Sequence, residues 1–412
     1  MTAHPAQRGP SLAQLLRPDI HADPHLLYRE MRSRGPVIWD PYVHTWIVTG
    51  YAEAVAVFQE YLAARTPSAE TFGRMGLPML APAADVLRRQ MMFMDPPRHM
   101  RVRNACSALF TPGRVRGMEE RMRTICRELV DRVQDGAVWD LHADYAEPLP
   151  AMITTEIAGL PLKDWRQLQI WSDDFAALIG NFHQSRSEGD RLAASLDQMS
   201  GYVAGIIADQ RRGEGRGLIG ALLDQGDTDP LEDADIIANV IITLVGGLGT
   251  ITNLISSGVA TLTLHPGAMQ RMRDDPAVMR SAVEEILRYQ TPSQFSGRIA
   301  PADATLGGQA IARGDAVMVM TAAANRDPHV FHDPDRFDIA RTPNRHLAFA
   351  WGPHFCFGAA LARMQAAIAF GELLGRAATI ELTGASLEWR ENLGLRGLRT
   401  LPVITTLAKP DR

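Results

Sequence analysis

The sequence predicts a mainly α-helical protein with a minor β-sheet part, and three observations carry that reading. Apolar residues recur at three- and four-residue steps over Ala52–Phe58, Arg101–Phe110, Met118–Val133, Trp165–Leu178, Leu192–Gln210, Ala234–Leu264, Ala277–Tyr289 and Ala359–Leu374. Strand-like runs are few and short: Val37–Trp39, Trp46–Val48, Val317–Met320 and Val403–Thr406. Breakers cluster near Pro78–Pro82, Gly213–Gly217, Gly226–Pro230 and Asp327–Pro343, and none divides the chain by composition into separate units. We therefore expect a flexible N-terminal arm over 1–19 and one catalytic domain over 20–408.

The segment Asn325–Arg341 is the main exception to helix. Pro328 and Pro334 disfavour a continuous helix, Asp335 and Asp338 favour turns, and Phe331 and Phe337 would pin the coil to the core. Composition sets further bounds. The chain has 412 residues, 46% hydrophobic and 22% charged, with a net charge of −5 and no basic run, which excludes the usual nucleic-acid binder. The start of the chain has no apolar core of signal-peptide length, and Ile236–Ile255 is interrupted by Asn, Thr and Gly, so it reads as a buried helix and not a membrane span. A soluble, cytoplasmic protein is expected. Three widely spaced cysteines fit neither a disulfide framework nor a zinc site.

The chemistry centres on Phe349–Gly358, which reads FAWGPHFCFG. A coil with Gly352 and Pro353 delivers Cys356 just before an Ala-rich helix, whose positive end would lower the thiol pKa and favour a thiolate metal ligand. Backbone N–H groups there can donate to the sulfur. Gly352 and Gly358 would let the backbone turn beside a flat cofactor. Phe349 would shield the sulfur, and His354 can reach a carboxylate at the cofactor's edge. Cys106 and Cys126, on apolar helix faces, read as core.

This loop resembles the haem-binding signature of the cytochrome P450 superfamily, F-x-x-G-x-H-x-C-x-G, with Phe349, Gly352, His354, Cys356 and Gly358 at its fixed positions. The resemblance extends over roughly residues 20–408. It implies haem b with Cys356 as axial ligand, held between a long Gly-rich helix and the helix that follows the cysteine. Other motifs come in the same order. Asp95-Pro-Pro-Arg-His99-Met-Arg-Val-Arg103 is similar to the family's D-P-P-x-H-x-x-x-R segment, and Arg298 matches a further arginine after the E-x-x-R helix. The resemblance implies that His99, Arg103, Arg298 and His354 hold the haem propionates. Glu285 and Arg288 stand three apart on one helix face and match E-x-x-R, a structural ion pair whose partner in the coil ahead of the cysteine is either Arg336 or His346.

The Gly-rich helix is where the chain departs from the family. Gly246, Gly247 and Gly249 sit inside an apolar helix at a cost of roughly 2–3 kcal/mol in propensity, which points to close approach of a cofactor face. Thr250 can bond back to the Gly246 carbonyl and open the helix locally. A dinucleotide reading fails, because no third glycine follows at the required step and the segment is not a strand–turn–helix. The family pattern (A/G)-G-x-(D/E)-T has its acid replaced here by Gly249. Three explanations stand: water or a substrate group completes the proton relay; the chemistry is atypical, of a peroxide-using or nitric-oxide-reducing kind; or the position has been altered from its natural residue.

The resemblance implies a monooxygenase that inserts one oxygen atom from O2 into a C–H bond of a lipophilic small molecule. That places it in bacterial secondary metabolism, with electrons from a ferredoxin and ferredoxin reductase. A monomer is expected. The proximal arginines Arg101, Arg114, Arg116 and Arg363 would meet an acidic redox partner. Substrate-pocket candidates are Met79, Met91, Leu178, Leu244, Leu248, Phe295 and Leu398, with Met75, Met92 and Phe182 beside them. A non-catalytic homologue that activates a partner is the contrasting reading, and Cys356 speaks against it.

Overall fold

The computed structural model describes residues 9–181, 185–224 and 230–408; Phe182 and most of the breaker cluster at 226–230 lie outside them. The helices that frame the site are, in chain order, α1 (Arg98–Ser107), α2 (Trp165–Gly180), α3 (Arg186–Arg212), α4 (Asp233–Gly247), α5 (Gly249–Leu264), α6 (Met279–Tyr289) and α7 (Ala359–Arg376). Their bounds follow the apolar periodicity. α3 opens on a capping box, with Ser185 accepting from the Glu188 N–H and the Glu188 carboxylate accepting from the Ser185 N–H. Pro148–Ala158 is a helix the periodicity did not reveal. It is apolar on all sides, and its prolines at 148 and 150 sit in the first turn, where no ladder N–H is lost.

The predicted single helix Ala234–Leu264 is in fact two. α4 stops at Gly247 and α5 starts at Gly249, with Leu248 between them at φ −84°, ψ −77°. Together they are long and apolar enough to cross a membrane, yet most of that stretch is buried inside the protein. Four of their hydroxyls are satisfied within the helices: Thr243, Thr252, Ser256 and Thr261 each donate to the carbonyl four residues back, at 2.7–3.1 Å.

The β part is minor, as predicted, but has more strands than the sequence showed. β1 (Val37–Asp40), β2 (Thr45–Val48), β3 (Val138–Asp140), β4 (Ser296–Ile299), β5 (Ala304–Leu306), β6 (Gln309–Ile311), β7 (Ala316–Val319), β8 (Ala377–Leu382) and β9 (Pro402–Leu407) form three sheets. The first has the order β1-β2-β7-β4, with β2 and β7 parallel and the outer pairs antiparallel. The second has the order β3-β9-β8, and β5 pairs with β6 alone. β4 and β5 were missed because they carry Ser, Gly, Arg and Thr and owe their pairing to tertiary contact.

The expected loose arm is corrected by the fold. Ser11 caps a short 3₁₀ turn over Leu12–Leu16, and Leu12 and Leu15 are buried against Leu27, Tyr28 and Met31. Ser11 Oγ donates to both oxygens of the fully buried Asp40 carboxylate at 2.9 Å, and the Leu12 N–H donates to Oδ2 at 2.8 Å. Polar, Pro-rich composition had disguised a short anchor; residues 1–8 of the arm lie outside the described residues.

Candidate haem-thiolate site

The loop before α7 is built as its residue types demand. Gly352 has φ +70°, and a Cβ there would lie 2.9 Å from the Phe58 carbonyl, so both backbone and space require glycine. Gly358 differs: its φ is −82°, and its Cβ would meet the Cys356 sulfur at an ordinary 3.8 Å. The expected turn at Gly358 is therefore not the reason for that glycine. The Cys356 N–H donates to the Phe349 carbonyl at 2.9 Å. The Phe349 ring lies under the Arg363 guanidinium at 4.4 Å. In the protein alone the Cys356 thiol is pushed up by burial, against the lowering effect of the Gly358 N–H and the charges of Arg103 and Arg363. Cys106 and Cys126 are buried and both pushed up to about 12 by burial, as core thiols are.

Beside this loop the fold gathers basic side chains around a single carboxylate, Asp95. The His99 and His354 rings stack with centroids 4.0 Å apart. His99 is 1% exposed, and neither of its ring nitrogens has a hydrogen-bond partner. Arg298, also buried, donates to Ser296 Oγ and the Gly297 carbonyl, while its Nε has no partner. Arg103 Nη2 donates to the Phe355 carbonyl, so it reaches the cysteine loop itself. Arg65 joins them unannounced by any motif: its guanidinium lies 4.5 Å over the Phe93 ring, and a Cβ on Gly297 would be 2.9 Å from its Cδ. Burial, then the charge of Arg298, pushes Arg65 down to about 9. Burial pushes Arg298 down to about 10. Burial and four cationic neighbours push His354 down to about 3. The nearby carboxylate is Asp95, which already accepts from the Ala63 and Ala64 N–H groups at 2.8 and 3.2 Å. Buried positive groups with open donors call for an anion between them. The two carboxylates of a haem fit that demand.

The E-x-x-R pair is fully buried and fully satisfied. Arg288 Nε and Nη2 donate to Glu285 at 2.8 Å each, and its remaining donors reach the carbonyls of Asn325, Pro334 and Arg336. The third member is Arg341, with Nε 3.1 Å from Glu285 Oε2, and neither the Arg336 side chain nor His346. Arg336 contributes only its carbonyl, and His346 instead meets Glu284 at 3.0 Å. Glu284 also accepts from Arg363 at 2.7 and 2.9 Å, tying α6 to α7. Arg363 is thus engaged and not a free partner-facing charge, while Arg114 and Arg116 remain exposed.

At the helix break, Gly246 and Gly249 border open space, called the groove below. Thr250 Oγ1 donates to the Gly246 carbonyl at 2.5 Å. A Cβ on Gly246 would meet nothing within 4 Å, and one on Gly249 would meet only Asp173 Oδ1, at 4.0 Å. Gly247 is different, pressed so close to Thr154 that a Cβ would lie 2.7 Å from it. The pocket candidates divide. Met91, Leu178, Leu244 and Leu248 are buried in one cluster, and Met79 packs against it. Leu398 belongs to a second cluster around α5 and α7. Phe295, partly buried, packs on the N-terminal cluster. Met75 is 54% exposed. Both lie in loops whose direction periodicity does not set.

Comparison with known proteins agrees with this geometry. The cytochrome P450 family profile matches residues 207–377. The biotin biosynthesis cytochrome P450 of Bacillus subtilis is 32% identical over 92% of this chain and 96% of its own length. Cytochrome P450 monooxygenase PikC of Streptomyces venezuelae is 35% identical, covering 93% of this chain and 92% of its own. The crystal structure of P450BioI in complex with acyl carrier protein ligated with hexadec-9Z-enoic acid superposes with a TM-score of 0.87 at 31% identity, covering 94% of this chain and 100% of that one. The chain belongs to the cytochrome P450 family, whose members are enzymes carrying a haem-thiolate iron.

Proposed function

We propose that the chain is a bacterial haem-thiolate monooxygenase acting on a lipophilic small molecule, with Cys356 as axial ligand of haem b. The observation that carries this reading is the cluster of basic side chains Arg65, His99, Arg298 and His354 beside the cysteine loop, in which His99 and Arg298 are buried with unpartnered nitrogens. Bound there, the haem would supply oxygen binding and reductive activation. The protein's own residues do the rest. His99, Arg298 and Arg65 hold the carboxylates, and Arg103 braces the loop through the Phe355 carbonyl. The apolar side chains of Leu244, Leu248 and Leu178 keep the substrate side dry. Thr250, bonded to Gly246, keeps the helix open and presents an oxygen to the groove.

The overall change is insertion of one oxygen atom of O2 into a C–H bond, with two electrons from a ferredoxin-type donor and release of water. Arg114 and Arg116 are the exposed cations suited to an acidic donor. Relatives named for polyketide and biotin biosynthesis, and a neighbour solved with a fatty acid on acyl carrier protein, support a secondary-metabolite or fatty-acyl substrate, free or carrier-bound. A cytoplasmic monomer is part of this reading. Gly249 favours a second reading, peroxide-driven turnover without the usual acid. The test is to supply the full haem-loaded chain with 18O2, NADPH, ferredoxin and ferredoxin reductase against a panel of lipophilic compounds. One labelled oxygen atom per product is expected. Product formed only when hydrogen peroxide replaces O2 and reductant, with its inserted oxygen labelled from H2(18O)2, would overturn the O2-driven reading in favour of the second.

A further inference from the structure

The groove at Gly249 lacks a carboxylate on its own helix but not in space. α2 packs across both halves of the broken helix. Asp173 of α2 brings Oδ1 to 4.0 Å from where a Cβ of residue 249 would lie, with nothing nearer. Its side chain is fixed by two donors: Gln169 Nε2 at 2.9 Å on Oδ1 and Arg390 Nη1 at 2.6 Å on Oδ2. Arg390 continues outward, with Nη2 3.4 Å from Glu147 Oε2 and 3.1 Å from His142 Nε2. Asp173 and Glu147 are both partly exposed, so this chain of groups runs from solvent to the groove.

We propose that Asp173 is the proton-relay carboxylate of this enzyme, supplying from α2 what residue 249 does not supply from the central helix. The inference rests on the haem-thiolate reading. Monooxygenation consumes R–H, O2, two electrons and two protons and yields R–OH and H2O. The electrons come from the ferredoxin-type donor, and both protons end in water. Asp173 gives up a proton towards the groove at Thr250 and regains one from solvent along the Arg390 side. It acts through groove water and the Thr250 hydroxyl and does not touch the substrate. Gln169 and Arg390 hold the carboxylate so that Oδ1 lies on the Gly249 side and Oδ2 on the Arg390 side. A purely structural ion pair between α2 and the C-terminal loop would need only Oδ2, whereas Oδ1 borders the open space at Gly249.

The test uses the full haem-loaded chain as native protein, D173N, G249D and D173N/G249D, with hexadec-9Z-enoic acid as organic probe and plant ferredoxin and ferredoxin reductase as electron donors. D173N is expected to lower NADPH-driven O2 consumption roughly 10-fold or more, the scale of a lost general acid, and D173N/G249D to recover most of it. A loss that G249D does not repair, or no loss at all, overturns the proposal. A second readout needs no turnover. In G249D two carboxyls face each other, so one should hold its proton and give a carboxylic-acid C=O infrared band that vanishes in D173N/G249D. Absence of that band in G249D overturns the placement. Loss of the thiolate-type carbon monoxide spectrum in native protein would instead overturn the haem reading itself.

Discussion

Buried basic side chains with unpartnered nitrogens are the most informative residues in this chain. Arg298 and His99 hold open donors in a setting where an unpaired polar group costs about 1–3 kcal/mol. Binding an anion removes that cost. Arg298→Leu is therefore expected to raise the haem dissociation constant by about 10- to 100-fold, from the about 1.5–3 kcal/mol of a charge-assisted hydrogen bond; haem transfer to apomyoglobin measures it. Arg65→Leu should act in the same direction, and an unchanged transfer rate would remove Arg65 from the cluster. His99, Arg103, Arg298 and His354 were legible in the sequence because each stands in a spaced motif. Arg65 was not, because it lies in a loop with no such frame and gains meaning only when Gly297 brings β4 against it. Asp173 was illegible for a similar reason, since its role depends on where α2 crosses the Gly-rich helix.

Among the elements, α6 holds the cysteine loop through two adjacent carboxylates. Glu285 accepts from Arg288, Arg341, Asn344 and the Asp338 N–H, and is fully buried. Glu285→Ala leaves Arg288 uncompensated and is expected to cost about 3–5 kcal/mol, read as a lower urea midpoint. Glu284 faces the other way. Burial would raise its carboxyl, but hydrogen bonds and charge from His346 and Arg363 outweigh that and draw it down to about 2 from 4.5. Since the folded value is depressed, the stabilisation is full above pH 4.5 and is lost as pH falls through about 2. Discounted for partial exposure, Glu284→Gln should cost about 1–2 kcal/mol at pH 7, with the gap to native protein closing in acid. A gap independent of pH would contradict this. The motif exposed Glu285 and Arg288, but a motif names no tertiary partner. Arg341 took that place because the coil turns back at Asp338, where a turn was expected but its direction was not.

Across the whole molecule, the helical character and the proximal loop were readable because periodicity and a fixed spacing are local signals. The sheets were less so, since β4 and β8 owe their pairing to partners far along the chain. The N-terminal anchor was hidden by turn-like composition. Ser11→Ala is expected to cost about 1–2 kcal/mol, because it removes both a cap and a partner of the buried Asp40, and thermal unfolding measures it. The haem itself should dominate overall stability by mass action, binding the folded chain and not the unfolded one. The central claim is that Cys356 ligates its iron as thiolate, and the absorbance of the dithionite-reduced carbon monoxide complex tests it most directly. Native protein should show the strongly red-shifted Soret band of a thiolate ligand, and Cys356→Ser should lose it. A band at the position given by histidine ligation in the native protein, or the red-shifted band surviving in Cys356→Ser, would contradict the account.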